Sequence, residues 1–273
     1  MTPPIPRLLL CALLMASCGH SDPNTPEPSP AQVKAAEQVQ QDEDRLGDAF
    51  RLLGDGNYSG CRELASSVLS NSPAPSTEAR AEFLLGLGFH KAKQYADARA
   101  HFESAATGAS FANKVALPYY QGWCYFWLGE LDLSEASFRL HLKSSDEGDS
   151  HFGLGVIALE RGQSQKASTH LTTALEHFEK RVASGDALAK LDAAKAQARL
   201  ADVDIDSGDF ESAKQRLLLA VSLDSNRAAV WYKIYQVGLE LEDKALEAKG
   251  FAEYQRCQNA KDQGQGMATE SGR

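Results

Sequence analysis

The chain has 273 residues, of which 43% are hydrophobic and 24% are charged, and its formal net charge at pH 7 is −9. A chain of this length and apolar content can bury a continuous core. The acidic balance excludes nucleic acid as the main partner, because phosphate binding requires a basic face, and it disfavours adsorption to anionic lipid.

The N-terminal segment, up to Cys18, has the pattern of an export signal. Its positions 8–16 form an apolar run of about half the length that a permanent transmembrane helix needs. The run leads into the motif MASC, which ends at Cys18 and resembles the bacterial lipoprotein signal. The resemblance implies that residues 1–17 are a signal peptide, that cleavage occurs before Cys18, and that this cysteine carries lipid such as palmitate. The alternative is an ordinary signal peptide that is cut after Ala16 or Ser17.

A short tether follows the predicted lipidation site. Residues 18–30 comprise the acylated cysteine and the segment GHSDPNTPEPSP, in which prolines and small polar residues indicate an extended linker. At about 3.1 Å per residue, this linker reaches roughly 35–40 Å from the lipid. An aspartate directly after the lipidated cysteine resembles an inner-membrane retention signal. This chain has Gly19 at that position. In an envelope with two membranes we therefore expect an outer-membrane anchor, with the protein facing the periplasm.

The folded body, residues 31–258, is predicted to be α-helical throughout. Its clearest segment, residues 78–106, contains two runs with helical spacing that are separated by a polar turn. The recurring residues are Leu85, Gly86, Phe89 and Ala92 in the first run and Tyr95, Ala98, Phe102 and Ala105 in the second. Gly86 has no side chain where the second helix would cross the first, and a small residue at a crossing lets two helices approach closely.

This pattern resembles the tetratricopeptide repeat (TPR) family, whose motif places Leu-Gly, an aromatic residue, a turn, and then Ala, Phe and Ala at fixed offsets. Glu82 stands at the usual first aromatic position and departs from the motif. The resemblance implies an all-α fold, an antiparallel helix-pair solenoid (a TPR-like superhelix) of about five to six repeats. Residues 259–273 are polar and contain glycine, so we expect a disordered tail there.

The predicted repeats differ in length. The first small residue of each second helix marks a repeat, and these markers are Cys61, Ala98, Ala136, Ala167 and Ala213. Their spacings are uneven, and the widest, between Ala167 and Ala213, clearly exceeds the family period of about 34 residues. This spacing predicts two long helices, 164–182 and 187–206, whose hairpin either projects beyond the solenoid or covers neighbouring repeats. A sixth, degenerate pair is predicted over residues 228–258.

The sequence predicts neither a metal site nor a catalytic site. The acidic segment DVDIDSGD, residues 202–209, lacks the glycine and the final glutamate of a calcium loop and indicates a solvated surface. The histidines form no metal-binding motif and are predicted to be isolated: His90, His101, His141, His151, His170 and His177. No nucleophile–base pair stands out, so we expect no enzyme activity and no cofactor; an enzyme with an unrecognised site is the alternative.

Three cysteines follow the predicted lipidation site. Cys61 and Cys124 occupy small packing positions two repeats apart, too distant for a disulfide, and are predicted to be buried thiols. Cys257 is predicted to be the most exposed of the three. Intermolecular pairing is the alternative that an odd number of cysteines raises in an exported protein.

The TPR resemblance also implies a groove that is lined by the first helix of each pair. The implied groove positions carry apolar and aromatic residues, not the lysine and asparagine with which some members clamp a terminal carboxylate. The residues predicted to contact a partner are Leu46, Phe50, Phe83, Leu87, His90, Gln121, Tyr125, Phe152, Val156 and Asp202. Such a groove suits an apolar or amphipathic segment of a protein or peptide. The alternative is that some of these positions are buried between adjacent repeats.

These features predict a membrane-anchored repeat lipoprotein that acts as a protein-interaction scaffold in the bacterial cell envelope. In plan, it resembles the repeat lipoproteins that help to assemble pilus secretins or outer-membrane proteins. One alternative is an adaptor that recruits peptidoglycan-remodelling enzymes.

Overall fold

A computed structural model describes residues 29–145 and 148–270, with side chains up to Ala260. The predicted signal peptide (1–17), Cys18 and all but the end of the tether lie outside the described residues. Within the described ranges every regular element is a helix, and none of these helices is long and apolar enough to cross a membrane.

The described ranges contain twelve α-helices and one short 3-10 helix, Lys114–Ala116. In chain order the α-helices are α1 (Pro30–Gly54), α2 (Tyr58–Leu69), α3 (Pro75–Lys91), α4 (Tyr95–Thr107), α5 (Leu117–Trp127), α6 (Leu131–Leu142), α7 (Gly148–Glu160), α8 (Ser164–Ala183), α9 (Ala189–Asp206), α10 (Phe210–Leu223), α11 (Ala228–Glu240) and α12 (Lys244–Glu270). The first helix begins at the last tether residue, because Ser29 caps it in a capping box with Gln32.

The chain divides into two compact units, with the boundary between Glu130 and Leu131. In unit 1, which contains α1 to α5, each helix packs against the next, and α1 also contacts α3. In unit 2, which contains α6 to α12, each helix again packs against the next, and α7 also contacts α9. The contacts between alternate helices stack one helix pair on the following one, as in repeat proteins.

Close approach within the helix pairs depends on glycine. A Cβ added at Gly86 of α3 would lie 2.4 Å from the Phe102 ring of α4. A Cβ added at Gly155 of α7 would lie 2.6 Å from Cγ of Leu171 in α8. Since carbon atoms in a packed interior do not approach so closely, only glycine fits without a shift of the neighbouring side chain. The role predicted for Gly86 is therefore confirmed.

The register of α6 differs from the prediction. Its buried face includes Ser134 and Phe138, whereas the predicted marker Ala136 is exposed. With Ser134 as the marker, the spacings to Ala98 before it and to Ala167 after it become more nearly equal. The predicted alignment was wrong because Leu133, Ala136 and Leu140 also recur with helical spacing, although both leucines are exposed.

The long hairpin is present as α8 and α9, close to the predicted bounds. Its turn is fixed by Asp186, which accepts hydrogen bonds from the Arg181 side chain and from the backbone N–H groups of Leu188 and Ala189. Leu188, immediately before α9, is 70% exposed.

Two expectations for the C-terminal region are corrected. The helix α12 continues to Glu270, where a disordered tail was predicted from residue 259. The segment lacks proline, so its two glycines lower helix propensity without forcing the helix to end. Cys257, predicted to be exposed, is only 8% exposed, and its Sγ lies 3.6 Å from the Ser225 carbonyl oxygen.

The other two thiols match the prediction. Cys61 and Cys124 are both buried and not in disulfides. Burial raises the pKa of Cys124 to about 12, so this thiol stays protonated at physiological pH.

The glycine at the α3–α4 crossing gives a direct test of the packing. We expect Gly86→Ala to lower the free energy of unfolding by about 1–3 kcal/mol, because overpacking shifts the Phe102 ring. Gly47→Ala is the matched control: this glycine lies within α1 and has no neighbouring atom within 4 Å of an added Cβ. The control should be about 1 kcal/mol more stable than the wild type through helix propensity. Urea denaturation measures both, and equal shifts in the two variants would contradict the crossing argument.

Candidate functional site

Unit 1 contains an open cleft between α1, α3 and the connector that joins α4 to α5. Its volume is about 360 Å³. Its lining combines apolar side chains with a few polar ones, and the lining residues are Gly47, Phe50, Arg80, Phe83, Leu84, Phe111, Ala112 and Asn113.

The wall on α1 is formed by Gly47 and Phe50, which are one helical turn apart and therefore share a face. The space beside Gly47 is open. Phe50 is 56% exposed, which is unusual for a phenylalanine and leaves its ring accessible from the cleft. An exposed aromatic ring beside open space is a contact point that the fold itself does not use.

The floor of the cleft is aromatic and rigid. The Phe83 ring of α3 lies 5.4 Å from the Phe111 ring of the connector and 5.8 Å from the Tyr120 ring of α5, measured between centroids. It also lies 5.9 Å from Phe102 of α4. Contacts on three sides leave Phe83 only 3% exposed, so it shapes the floor and offers little surface to a partner.

A polar network holds the two walls together. The Arg80 guanidinium of α3 forms an ion pair with Glu43 of α1, and the Thr77 hydroxyl donates to the same carboxylate at 3.1 Å. Nearby, the Asn71 side-chain amide donates to the buried carboxylate of Asp42 at 2.9 Å. The bonds of Glu43 connect α1 to α3, and the Asn71 bond connects α1 to the turn before α3 and satisfies the buried Asp42 carboxylate.

The structure keeps only part of the predicted groove accessible. Four of the ten predicted contact residues lie in the core and are corrected here: Leu46, Phe83, Leu87 and Val156. The first helices pack so closely against their neighbours that these positions fill the space between helices, which was the alternative that the sequence left open. Of the ten, Phe50 and Phe83 line the cleft.

Three further predicted residues are half-buried and already engaged. The Tyr125 hydroxyl donates to Glu103 at 3.1 Å, and burial together with this bond raises the pKa of Tyr125 to about 12. Asp202 forms ion pairs with Arg199 and Lys233. The Phe152 ring lies 6.5 Å from the Phe178 ring.

The revised α6 register also moves the predicted groove positions on α5. The distance in sequence from Gly122 to Ser134 equals that from Gly86 to Ala98. Both glycines are buried. The equivalents of the predicted Gln121 and Tyr125 are therefore two positions earlier in the chain. Partner contact by the other six predicted residues remains a prediction: Phe50, His90, Gln121, Tyr125, Phe152 and Asp202.

Sequence reasoning missed Phe111, Arg80 and Asn113. Phe111 and Asn113 lie in the connector, outside any helical period, so the repeat pattern assigns them no position. The available signal was the length of that connector, which includes one large aromatic residue in an otherwise small and polar segment. Arg80 lies in the repeat segment but before the first motif position, Glu82, and its charge did not fit the expected apolar groove.

His90 is buried among aromatic rings. Its ring centroid lies 5.6 Å from that of Tyr95 and 6.0 Å from that of Tyr120, both in edge-on geometry. Neither ring nitrogen has a hydrogen-bond partner. Burial, with a smaller contribution from the Lys91 charge, lowers the pKa of His90 to about 4, so the ring is neutral at physiological pH.

The remaining histidines are not all isolated, which corrects a second expectation. Nδ1 of His151 on α7 lies 3.1 Å from Nδ1 of His170 on α8. His101 is paired with Glu82 at 2.7 Å, and the buried His141 with Ser150 at 2.8 Å. Among the described residues, no group of three or more His, Cys, Asp or Glu side chains is placed to hold a metal ion.

His90 predicts a pH dependence of stability. Its pKa in the folded state, about 4, lies below the value of about 6.5 in an unfolded chain. The unfolded state therefore binds more protons between these values, and stability must fall as the pH drops through about 6.5. At pH 5 the wild type should have lost about 2 kcal/mol from this group relative to pH 7.5, and His90→Phe should not show that loss. The comparison of urea midpoints at the two pH values tests this, and parallel losses in both proteins would refute it.

Comparisons with known proteins concern the fold. Neither family models nor curated proteins give a match to the sequence. Among solved structures, a chain of the APC/C hetero-tetramer Cut9-Hcn1 matches with a TM-score of 0.67 and 17% identity, over 82% of this chain and 42% of that chain. This chain thus spans less than half the length of that one.

Two further structures match over most of their own length. PilW, a type IV pilus biogenesis factor, gives a TM-score of 0.64 at 15% identity, over 80% of this chain and 93% of PilW. YrrB, a TPR protein with an unusual peptide-binding site, gives 0.51 at 14% identity, over 73% of this chain and 96% of YrrB. The chain therefore has the all-helical fold of tetratricopeptide repeat proteins, as the sequence predicted.

Proposed function

We propose that the protein is an interaction scaffold that binds an apolar or amphipathic segment of a partner protein in the cleft of unit 1. The observation that carries this proposal is the 56% exposed Phe50 ring beside an open cleft with an aromatic floor. Exposed aromatic side chains next to preformed pockets are typical anchors of protein interfaces.

The dimensions of the cleft suit a few side chains. A volume of about 360 Å³ is at the lower end of the range of ligand pockets, roughly 300–1,000 Å³. An amphipathic helix presents apolar side chains one turn apart, and two of them would contact Phe50 and the Phe111 edge of the floor. Each large apolar side chain that becomes buried contributes about 1.5–3 kcal/mol. The Arg80–Glu43 pair at the rim satisfies its own charges and so imposes no charge on the partner.

The site of action proposed is the periplasmic face of the outer membrane, with the lipid on Cys18. The MASC motif, the Gly19 that follows it and the proline-rich tether support this assignment. The first helix begins at Pro30, so the whole tether after Cys18 gives the folded units room to reach a membrane-embedded partner. The likeness to PilW supports a role in the assembly of an envelope complex such as a pilus secretin or an outer-membrane protein.

The cleft is tested by a change that leaves the core intact. Phe50→Ser removes the exposed ring and should weaken capture of a partner by about tenfold or more, as expected for an interface anchor. The buried Phe83 is unsuitable for this purpose, because its truncation would destabilise unit 1. The measurement is photo-crosslinking from position 50 in the intact envelope, identification of the crosslinked protein, and then its affinity for each purified variant.

Leu188→Ser is the matched control, because Leu188 is 70% exposed, belongs to unit 2 and does not line the cleft. It should retain wild-type affinity. A secretin or barrel protein as the partner favours the assembly role, and a peptidoglycan hydrolase favours the adaptor role. An identified partner that binds the Phe50→Ser variant as tightly as the wild type would remove the cleft from the proposal.

The lipid anchor is tested separately. Metabolic labelling with radioactive palmitate should mark the wild type and not Cys18→Ser, because Cys18 is the predicted attachment point. The unlabelled variant should also leave the membrane fraction, since the anchor's acyl chains supply its membrane affinity. A wild-type protein without label would exclude lipidation and favour the ordinary signal peptide.

A further inference from the structure

Two imidazole rings meet at the contact between α7 and α8. Nδ1 of His151 and Nδ1 of His170 are 3.1 Å apart, and the ring centroids are 5.4 Å apart with an interplanar angle of 33°. Both side chains are half-buried, so solvent and small ions reach them.

The same position in two other helix pairs carries complementary groups. Glu82 faces His101 at the α3–α4 contact, and Gln197 faces Arg216 at the α9–α10 contact. In all three pairs the partners are 19 residues apart in sequence. A hydrogen-bond acceptor faces a cationic or protonatable group in those two pairs, whereas between α7 and α8 two imidazole rings face each other and one Nδ1–H donates to the other Nδ1.

The separation of the two nitrogens matches that of a metal chelate. Zinc–imidazole bonds are about 2.0–2.1 Å long, so two nitrogens 3.1 Å apart subtend an angle of about 100° at a shared ion. That angle lies between the square-planar and tetrahedral values. A neutral imidazole coordinates through the ring nitrogen that carries no proton, and Nδ1 is a common donor. An ion bound by both Nδ1 atoms replaces their hydrogen bond, and the ring that donated it then carries its proton on Nε2.

A third imidazole lies in the same patch. The His177 ring stacks beside His151 with centroids 6.3 Å apart, at an interplanar angle of 24°. Burial, with smaller contributions from His151 and Arg139, lowers the pKa of His170 against the opposing effect of Glu135. The lowered pKa favours the neutral ring that binds metal ions. Two protein donors leave the other coordination positions of the ion to water or to a ligand from a partner.

We propose that His151 and His170 together bind one divalent transition-metal ion of the class that prefers imidazole, with Zn²⁺ as the probe. Imidazole suits zinc, copper and nickel, whereas calcium and magnesium prefer oxygen donors. The site lies in unit 2 and does not depend on the proposed function of the cleft in unit 1.

The test is calorimetric titration of the full chain, without a histidine tag, with ZnCl₂ at pH 7.5. We expect a site with one ion per chain that His151→Asn and His170→Asn each weaken by about tenfold or more, since even second-shell changes cost 10- to 100-fold. MgCl₂ should not compete. The matched control is His101→Asn, which changes the equivalent histidine of α4 and should leave this site unchanged.

Two results would overturn the proposal: no saturable Zn²⁺ binding to the wild type, or an equal loss in His101→Asn and His170→Asn. If an asparagine variant fails to fold, the ring resonances of the wild-type histidines decide the question. Zn²⁺ should shift those of His151 and His170 and leave those of His101 in place. Binding should weaken as the pH falls, because protons compete with Zn²⁺ for the same nitrogens.

Discussion

The missing side chain at a glycine is the constraint on which the α3–α4 and α7–α8 crossings depend. Gly86 admits the Phe102 ring and Gly155 admits Leu171, both at distances that no Cβ would allow. Close approach brings the small residues of the second helix, such as Ala98 and Ala105, into full burial. The cleft between α1 and α3 is formed by the direct packing of these two helices, which the Glu43–Arg80 ion pair also connects.

The helix pairs were predictable from the sequence, because each pair uses the same pattern of small and large packing residues. The α3–α4 pair and the long α8–α9 hairpin follow from spacing alone. The α6 register was not predictable in this way. Ser134 and Ala136 are both small and each begins a helically spaced stripe, so the sequence offers two faces and only the packed structure shows that Ser134 is fully buried. The same ambiguity displaced the expected groove positions on α5 by two positions.

The cleft was predictable only in outline. The family resemblance places groove residues by offset, but the offset does not show whether neighbouring helices cover a position, as they do for Leu87 and Val156. Phe111 forms part of the cleft floor and lies in the connector between α4 and α5. Because the connector has no helical period, the sequence does not predict where this ring lies. Phe50, unlike Leu87 and Val156, remains exposed, because Gly47 one turn earlier leaves the adjacent space open.

The positions that vary between repeats lie beside the crossings and not within them. The contact that joins Glu82 to His101, His151 to His170 and Gln197 to Arg216 is partly exposed in each pair. Its chemistry can therefore change from a carboxylate facing an imidazole to two imidazoles without affecting Gly86 or Gly155 at the crossing itself. A fold that separates packing from surface chemistry in this way can carry an apolar cleft in one unit and a cluster of imidazoles in the other, since neither takes part in the contact that holds its helices together.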